Sequence, residues 1–137
     1  MIPSVSDKRY LLDTSAVLTL LEDEPGAQRV EQIIREGQAI IPFLALLEAY
    51  YISLQETTEA TADTRYALLK HLPAVFLYDI DEPTLLTAAR FKANYHLSLA
   101  DAIIAAFAVR EKAVLVHKDP EFEPLSPQVK QEVLPYK

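Results

Sequence analysis

The apolar residues fall into short unbroken runs, separated by longer stretches with helical periodicity. Tyr10-Leu11-Leu12, Ala39-Ile40-Ile41, Ala74-Val75-Phe76-Leu77-Tyr78 and Ala113-Val114-Leu115-Val116 are too short for buried helices and rich in β-branched and aromatic residues. Unbroken rather than alternating, they predict strands covered on both faces. Glu132-Val133-Leu134 predicts a shorter fifth strand near the end of the chain. After the first run, Asp13-Thr14-Ser15 is a turn of capping residues leading into a helix over Ala16 to Leu21. Ala27 to Glu36 carries Val30, Ile33 and Ile34 on one face with charges opposite, and Gly37 ends it.

Pro42 opens a third helix from within its first turn, carrying Leu44, Leu47, Ala49, Tyr51 and Leu54. Thr57 to His71 predicts a helix with Tyr66, Leu68, Leu69 and Leu72 toward the core. Asp81 caps a helix that has Pro83 in its first turn and runs to about Tyr95. Ser98 caps the last one, Leu99 to Phe107, which is apolar almost all round and so predicted to be buried. Strands alternating with helices predict an α/β fold with a parallel sheet.

The chain has 137 residues, half of them hydrophobic, which suits one domain over 1–137 with a sizeable core. It has no cysteine, so disulfides and thiolate metal sites are excluded and a reducing cytoplasm is compatible. Residues 1–7 lack a basic region followed by an apolar run, and no signal peptide is expected. The longest apolar stretch, 39–54, is interrupted by Pro42 and Glu48 and is too short to span a bilayer. The net charge of −7 argues against a protein that coats nucleic acid. It leaves room for an enzyme that grips nucleic acid through metal ions. Two glycines exclude a glycine-rich phosphate loop.

Four acids change the picture. Ligands of open parallel sheets bind beyond the carboxyl ends of the strands. Asp13 directly follows the first strand, Asp119 follows the fourth, and Asp101 opens a helix near the same rim. Each also has a plainer reading. Asp13 could cap the helix after it, Asp119 before Pro120 could make a turn, and Asp101 could complete a capping box with Ser98. Glu48 has no cap to serve, and its flanks, Leu46-Leu47 and Ala49-Tyr50-Tyr51-Ile52, look buried. A buried Glu is rare unless paired. Clustered carboxylates repel, and a hard divalent cation such as Mg²⁺ or Mn²⁺ removes that cost.

Leu11-Leu12-Asp13-Thr14-Ser15, Leu46-Leu47-Glu48-Ala49, Leu99-Ala100-Asp101-Ala102 and His117-Lys118-Asp119-Pro120-Glu121-Phe122 together resemble the four motifs of PIN-domain ribonucleases. The nearest subgroup is the small single-domain kind typified by VapC-type toxins, and the resemblance spans essentially the whole chain. It implies a three-layer α/β/α fold on a parallel sheet of about five strands. It also implies that Asp13, Glu48, Asp101 and Asp119 form the catalytic, metal-binding quartet around Mg²⁺ or Mn²⁺. Glu48 would act through water, and Phe122 would pack. The implied reaction is hydrolysis of RNA phosphodiesters, leaving a 5′-phosphate and a 3′-hydroxyl. Implied partners are an RNA substrate, a small antitoxin that restrains the enzyme, and a second copy in a homodimer. The chain departs from the pattern at His117, where the family usually has Thr or Ser. His117 could bond Asp119, crowd the metal, or do neither.

Few cations stand near the rim to hold RNA: Lys118 beside Asp119, then Lys8, Arg9, Arg90 and Lys92. The apolar faces of 27–36 and 57–72 could meet a partner or the core. The alternative function is a catalytically degenerate PIN-like binding module. A receiver-like phosphoacceptor would want a second acid beside Asp13, and a haloacid-dehalogenase-type phosphatase would want an Asp where Ser15 stands.

Overall fold

The computed structural model describes residues 8–136. The expectation placed on residues 1–7 lies outside that range. Strands β1 (Tyr10–Leu12), β2 (Ala39–Pro42), β3 (Val75–Leu77), β4 (Val114–His117) and β5 (Gln131–Val133) form one sheet in the order β3-β2-β1-β4-β5. All neighbours are parallel. The helices are α1 (Thr14–Leu21), α2 (Ala27–Arg35), α3 (Phe43–Glu56), α4 (Glu59–Lys70), α5 (Glu82–Asn94) and α6 (Leu99–Glu111), with a 3₁₀ segment over Pro120–Leu125. This is the three-layer α/β/α architecture expected from the sequence.

The pleat explains why the strand sequences are apolar throughout. Successive side chains point to opposite faces. Tyr10, Leu12, Ala39, Ile41, Val114 and Val116 enter one core with residues of α1 to α4. Leu11, Ile40 and Leu115 enter the other, against α5, α6 and the 3₁₀ segment. Leu11 and Leu115 are fully buried, each contributing about 1.5–3 kcal/mol.

Several expectations shift. Pro42 closes β2 and caps α3 instead of sitting in its first turn. The fourth strand runs one residue further, to His117, and the fifth begins at Gln131. Gly37 ends α2 with a φ of 73°, a backbone conformation that suits glycine. The α2 face of Val30, Ile33 and Ile34 is core. On α4 the expectation fails in part. Leu69 is buried, but Tyr66 and Leu68 are exposed, Leu68 by 59%. Ala62 and Leu69 lie seven residues apart on one face, whereas Leu68 is turned about 100° from Leu69. One helix cannot aim both leucines at the same neighbour. For the same reason Leu47 and Tyr51 on α3 are exposed, although Leu46 and Ala49 beside Glu48 are buried. Leu99, in the first turn of α6, is also exposed, while Ala102 and Ile104 to Ala108 are buried. No helix among the described residues is long and apolar enough to cross a membrane.

Candidate functional site

The strand order reverses between β1 and β4, where the chain leaves the sheet in opposite directions. A crevice opens at such a switch point beyond the carboxyl ends of the strands. Asp13 follows β1 and Asp119 follows β4, so the two flank it.

Asp13 caps α1. Its Oδ1 accepts from the Ala16 amide at 2.8 Å and from the Ser15 hydroxyl at 2.6 Å. The capping reading of Asp13 is therefore correct, and it does not exhaust the residue. Asp13 is 2% exposed, and its pKa is pushed up to about 7. Burial is the main cause, opposed by the Ser15 and Ala16 hydrogen bonds and reinforced by the charges of Asp101 and Asp119. A cap alone needs no such company.

Asp101 lies in the first turn of α6, where the Ser98 hydroxyl accepts from its amide at 3.1 Å. Its carboxyl is pushed up to about 6, first by burial and then by Asp119 and Glu48, while Ser98 pulls the other way. The charges that act on it, Asp119, Glu48 and Glu121, are all acids. Glu48 is half-buried rather than enclosed. Its Oε1 accepts from the Thr14 hydroxyl at 2.5 Å, which ties the second acidic motif to the residue after Asp13. Ser15 links the first motif to the last: its hydroxyl accepts from the Lys118 amide at 2.9 Å while donating to Asp13.

All four predicted acids thus converge on one rim, joined by two hydroxyl bridges and by mutual repulsion. A fifth was missed. One carboxylate oxygen from each of Asp101, Asp119 and Glu121 lies within 4.8 Å of the others. In the sequence Glu121 reads as a first-turn acid after Pro120. The available signal was its spacing: on a tight turn, residues two apart can serve one centre. Asp13 and Glu48 stand outside that triplet and act on it by charge.

His117 is fully buried, and neither ring nitrogen is spare. Nδ1 accepts from the Asp119 amide at 3.0 Å, and Nε2 bonds Gln131 Oε1 at 2.8 Å. Its ring tilts against Phe122 with centroids 4.9 Å apart. The packing role expected of Phe122 holds, since that residue is fully buried. The cations expected at the rim are mostly engaged elsewhere. Lys118 pairs with Glu24 at 3.4 Å and Arg9 with Glu111 at 3.1 Å. Lys92 donates to the Leu97 carbonyl, and Lys8 sits 5.6 Å from the centroid of the Tyr10 ring. Arg90 is exposed.

The donor set fits a hard divalent cation. It is all oxygen and all carboxylate, and burial, reinforced by neighbouring acids, raises the pKa of Asp101 within it and of Asp13 beside it. A bound cation would reverse both effects.

The PIN domain family model matches residues 10–126. No curated protein matches the chain. Solved structures do match in fold. VapBC2 from Rickettsia felis, bound to a DNA fragment from its promoter, has a TM-score of 0.76 at 15% identity, covering 92% of this chain and 98% of that one. A toxin-antitoxin complex from Klebsiella pneumoniae has a TM-score of 0.64 at 23% identity, covering 88% and 94%. The sarcin-ricin loop cleaving toxin VapC20 of Mycobacterium tuberculosis has a TM-score of 0.69 at 11% identity, covering 85% and 94%.

Proposed function

Since the chain belongs to the PIN domain family, we propose that it is a metal-dependent endoribonuclease and the toxin of a toxin-antitoxin pair. The observation that carries this reading is the meeting of Asp13, Glu48, Asp101, Asp119 and Glu121 at the sheet's switch point, with the first and third held well above the usual carboxylate range. Asp101, Asp119 and Glu121 would hold Mg²⁺ or Mn²⁺, with Asp13 and Glu48 completing the site. A cation held there would supply Lewis-acid chemistry toward a phosphodiester and toward water. Ser15 orients Asp13, Thr14 orients Glu48, and Ser98 fixes the backbone that carries Asp101. The Ser15 and Thr14 hydroxyls are spent on Asp13 and Glu48. The His117 ring is spent on the Asp119 amide and Gln131, which supports the bonding role and not a crowding one.

The partners are an RNA substrate, a small antitoxin and a second copy of the chain. Support for the antitoxin comes from the kinship in fold with toxin-antitoxin complexes. The α3–α4 surface adds to it. Leu47, Tyr50 and Tyr51, from the helix that carries Glu48, and Asp63 and Tyr66 from α4 line a groove of about 550 Å³.

The test is cleavage of a mixed RNA pool by the purified protein with Mg²⁺, with Mn²⁺ and with chelator. Asp101→Asn is the control variant. Metal-dependent cleavage that leaves 5′-phosphates, abolished in a folded Asp101→Asn, is expected. Cleavage that persists in chelator, or ends in 2′,3′-cyclic phosphates, would overturn the metal mechanism. No cleavage and no metal response would return the chain to a binding module.

A further inference from the structure

A hydrogen-bonded relay runs from the edge strand into the acid cluster, and its polarity is fixed at both ends. At one end the Phe122 carbonyl can only accept. It takes a hydrogen bond from Gln131 Nε2 at 2.8 Å. The side-chain oxygen of Gln131 must then be the atom facing His117, at 2.8 Å from Nε2. At the other end the Asp119 amide can only donate, and it does so to His117 Nδ1 at 3.0 Å. One tautomer satisfies every link, with the proton on Nε2 and Nδ1 as acceptor. The relay is part-buried: His117 and Phe122 are fully buried with their rings in contact, while Gln131 and Asp119 are half-buried. The turn it encloses, from Asp119 to Phe122, carries Asp119 and Glu121, two of the three acids that lie within 4.8 Å of one another.

We propose that Gln131 is a positioning residue for the carboxylate cluster, holding the Asp119–Phe122 turn at both ends, through His117 and through the Phe122 carbonyl. Gln131 acts through its bonds to His117 and the Phe122 carbonyl. Together with the Asp119 amide it fixes the His117 tautomer and the place of the ring, against which the Asp119 backbone is held. Outer partners of this kind commonly change metal affinity by about 10–100-fold when removed. The inference rests on the metal-site reading above for its affinity readout alone.

The test begins with the metal-free wild-type protein, in which long-range ¹H–¹⁵N spectra report the tautomer of each of the three histidines. Nε2–H with unprotonated Nδ1 is expected at His117, and Nδ1–H there would overturn the proposal. Gln131→Met keeps the size of the side chain and removes both amide functions. It is expected to lose the single His117 tautomer, to shift the Asp119 amide resonance, and to bind Mn²⁺ about tenfold more weakly. In a His117→Thr background only the Phe122 arm remains, so the same substitution should cost less Mn²⁺ affinity than it does in the wild type, and an equal loss in the two backgrounds would overturn the role given to His117. Gln131→Glu keeps the acceptor and loses the donor, so it should retain the tautomer. That variant serves if Gln131→Met does not fold. A folded Gln131→Met that only lowers the thermal midpoint, with tautomer, amide shift and Mn²⁺ affinity unchanged, overturns the proposal. If the wild type binds no Mn²⁺, the metal reading fails, while the tautomer and the Asp119 amide still decide the role of Gln131.

Discussion

Without a cation, the Asp13 carboxyl makes the folded protein less stable as pH rises, and the size of the effect can be worked out. The unfolded chain ionises this group at 3.8, the folded chain at about 7. The folded state therefore keeps a proton that the unfolded state has released. A folded pKa raised above the unfolded one penalises the fold, from nothing below pH 3.8 to its full value above 7. The difference of about 3 pH units corresponds to a full penalty of about 4 kcal/mol, of which about 3 kcal/mol accumulates between pH 5 and 8. Asp101, raised to about 6, adds in the same direction over a lower range, weakened because it is partly exposed. His117 acts oppositely: burial lowers its pKa, so the fold gains stability as pH rises toward 6.5. The two trends overlap, so absolute stability is a poor readout. The informative quantity is the difference between wild type and Asp13→Asn, which shares every other group and keeps the side-chain oxygen that caps α1. Urea denaturation at pH 5, 6, 7 and 8 in chelator should show Asp13→Asn gaining about 3 kcal/mol on wild type across the series. Added Mn²⁺ should stabilise wild type more at pH 8 than at pH 5, because the ligands must be deprotonated. A stability difference that stays flat across the pH series would refute the reasoning, since Asp13 would then ionise alike in both states.

Ser98→Ala removes the acceptor of the Asp101 amide and should lower stability by about 1 kcal/mol while weakening Mn²⁺ binding; chemical denaturation and a metal titration measure the two separately. On α4, Leu69→Ala should cost about 2–5 kcal/mol, and Leu68→Glu, at a position 59% exposed, less than about 0.5 kcal/mol. Denaturation midpoints of the two variants decide whether the face assigned to that helix is correct.

Much of this was legible in the sequence because strand runs and caps are local. Asp13, Asp101 and Asp119 follow strands or open helices, and the parallel topology alone sends such positions to one rim. Glu48 stood out for a different reason, having no cap to make, although it proved half-buried rather than enclosed. Less was legible where apolar residues cover more than one helix face. Tyr66, Leu68 and Leu69 are similar letters, and only the packing of α4 against α3 tells which is inside. Least legible was the role of His117. As a letter it is a departure from Thr or Ser. Its partner Gln131 lies 14 residues further on, in a strand whose start was placed one residue late, and no local pattern joins the two.

The central place of β1 has a consequence in time. A growing chain delivers β1, β2 and β3 first, with Asp13 and Glu48, and then α6 with Asp101. β1 still lacks its neighbour on one side until Val114–His117 is made, and β4 in turn lacks its own until Gln131–Val133 follows. The seat of Asp119 is therefore among the last of these described elements to be made. A chain grown only as far as α6 carries Asp13, Glu48 and Asp101 but not the strand that seats Asp119, so the acid cluster is completed only when β4 and the turn after it are made.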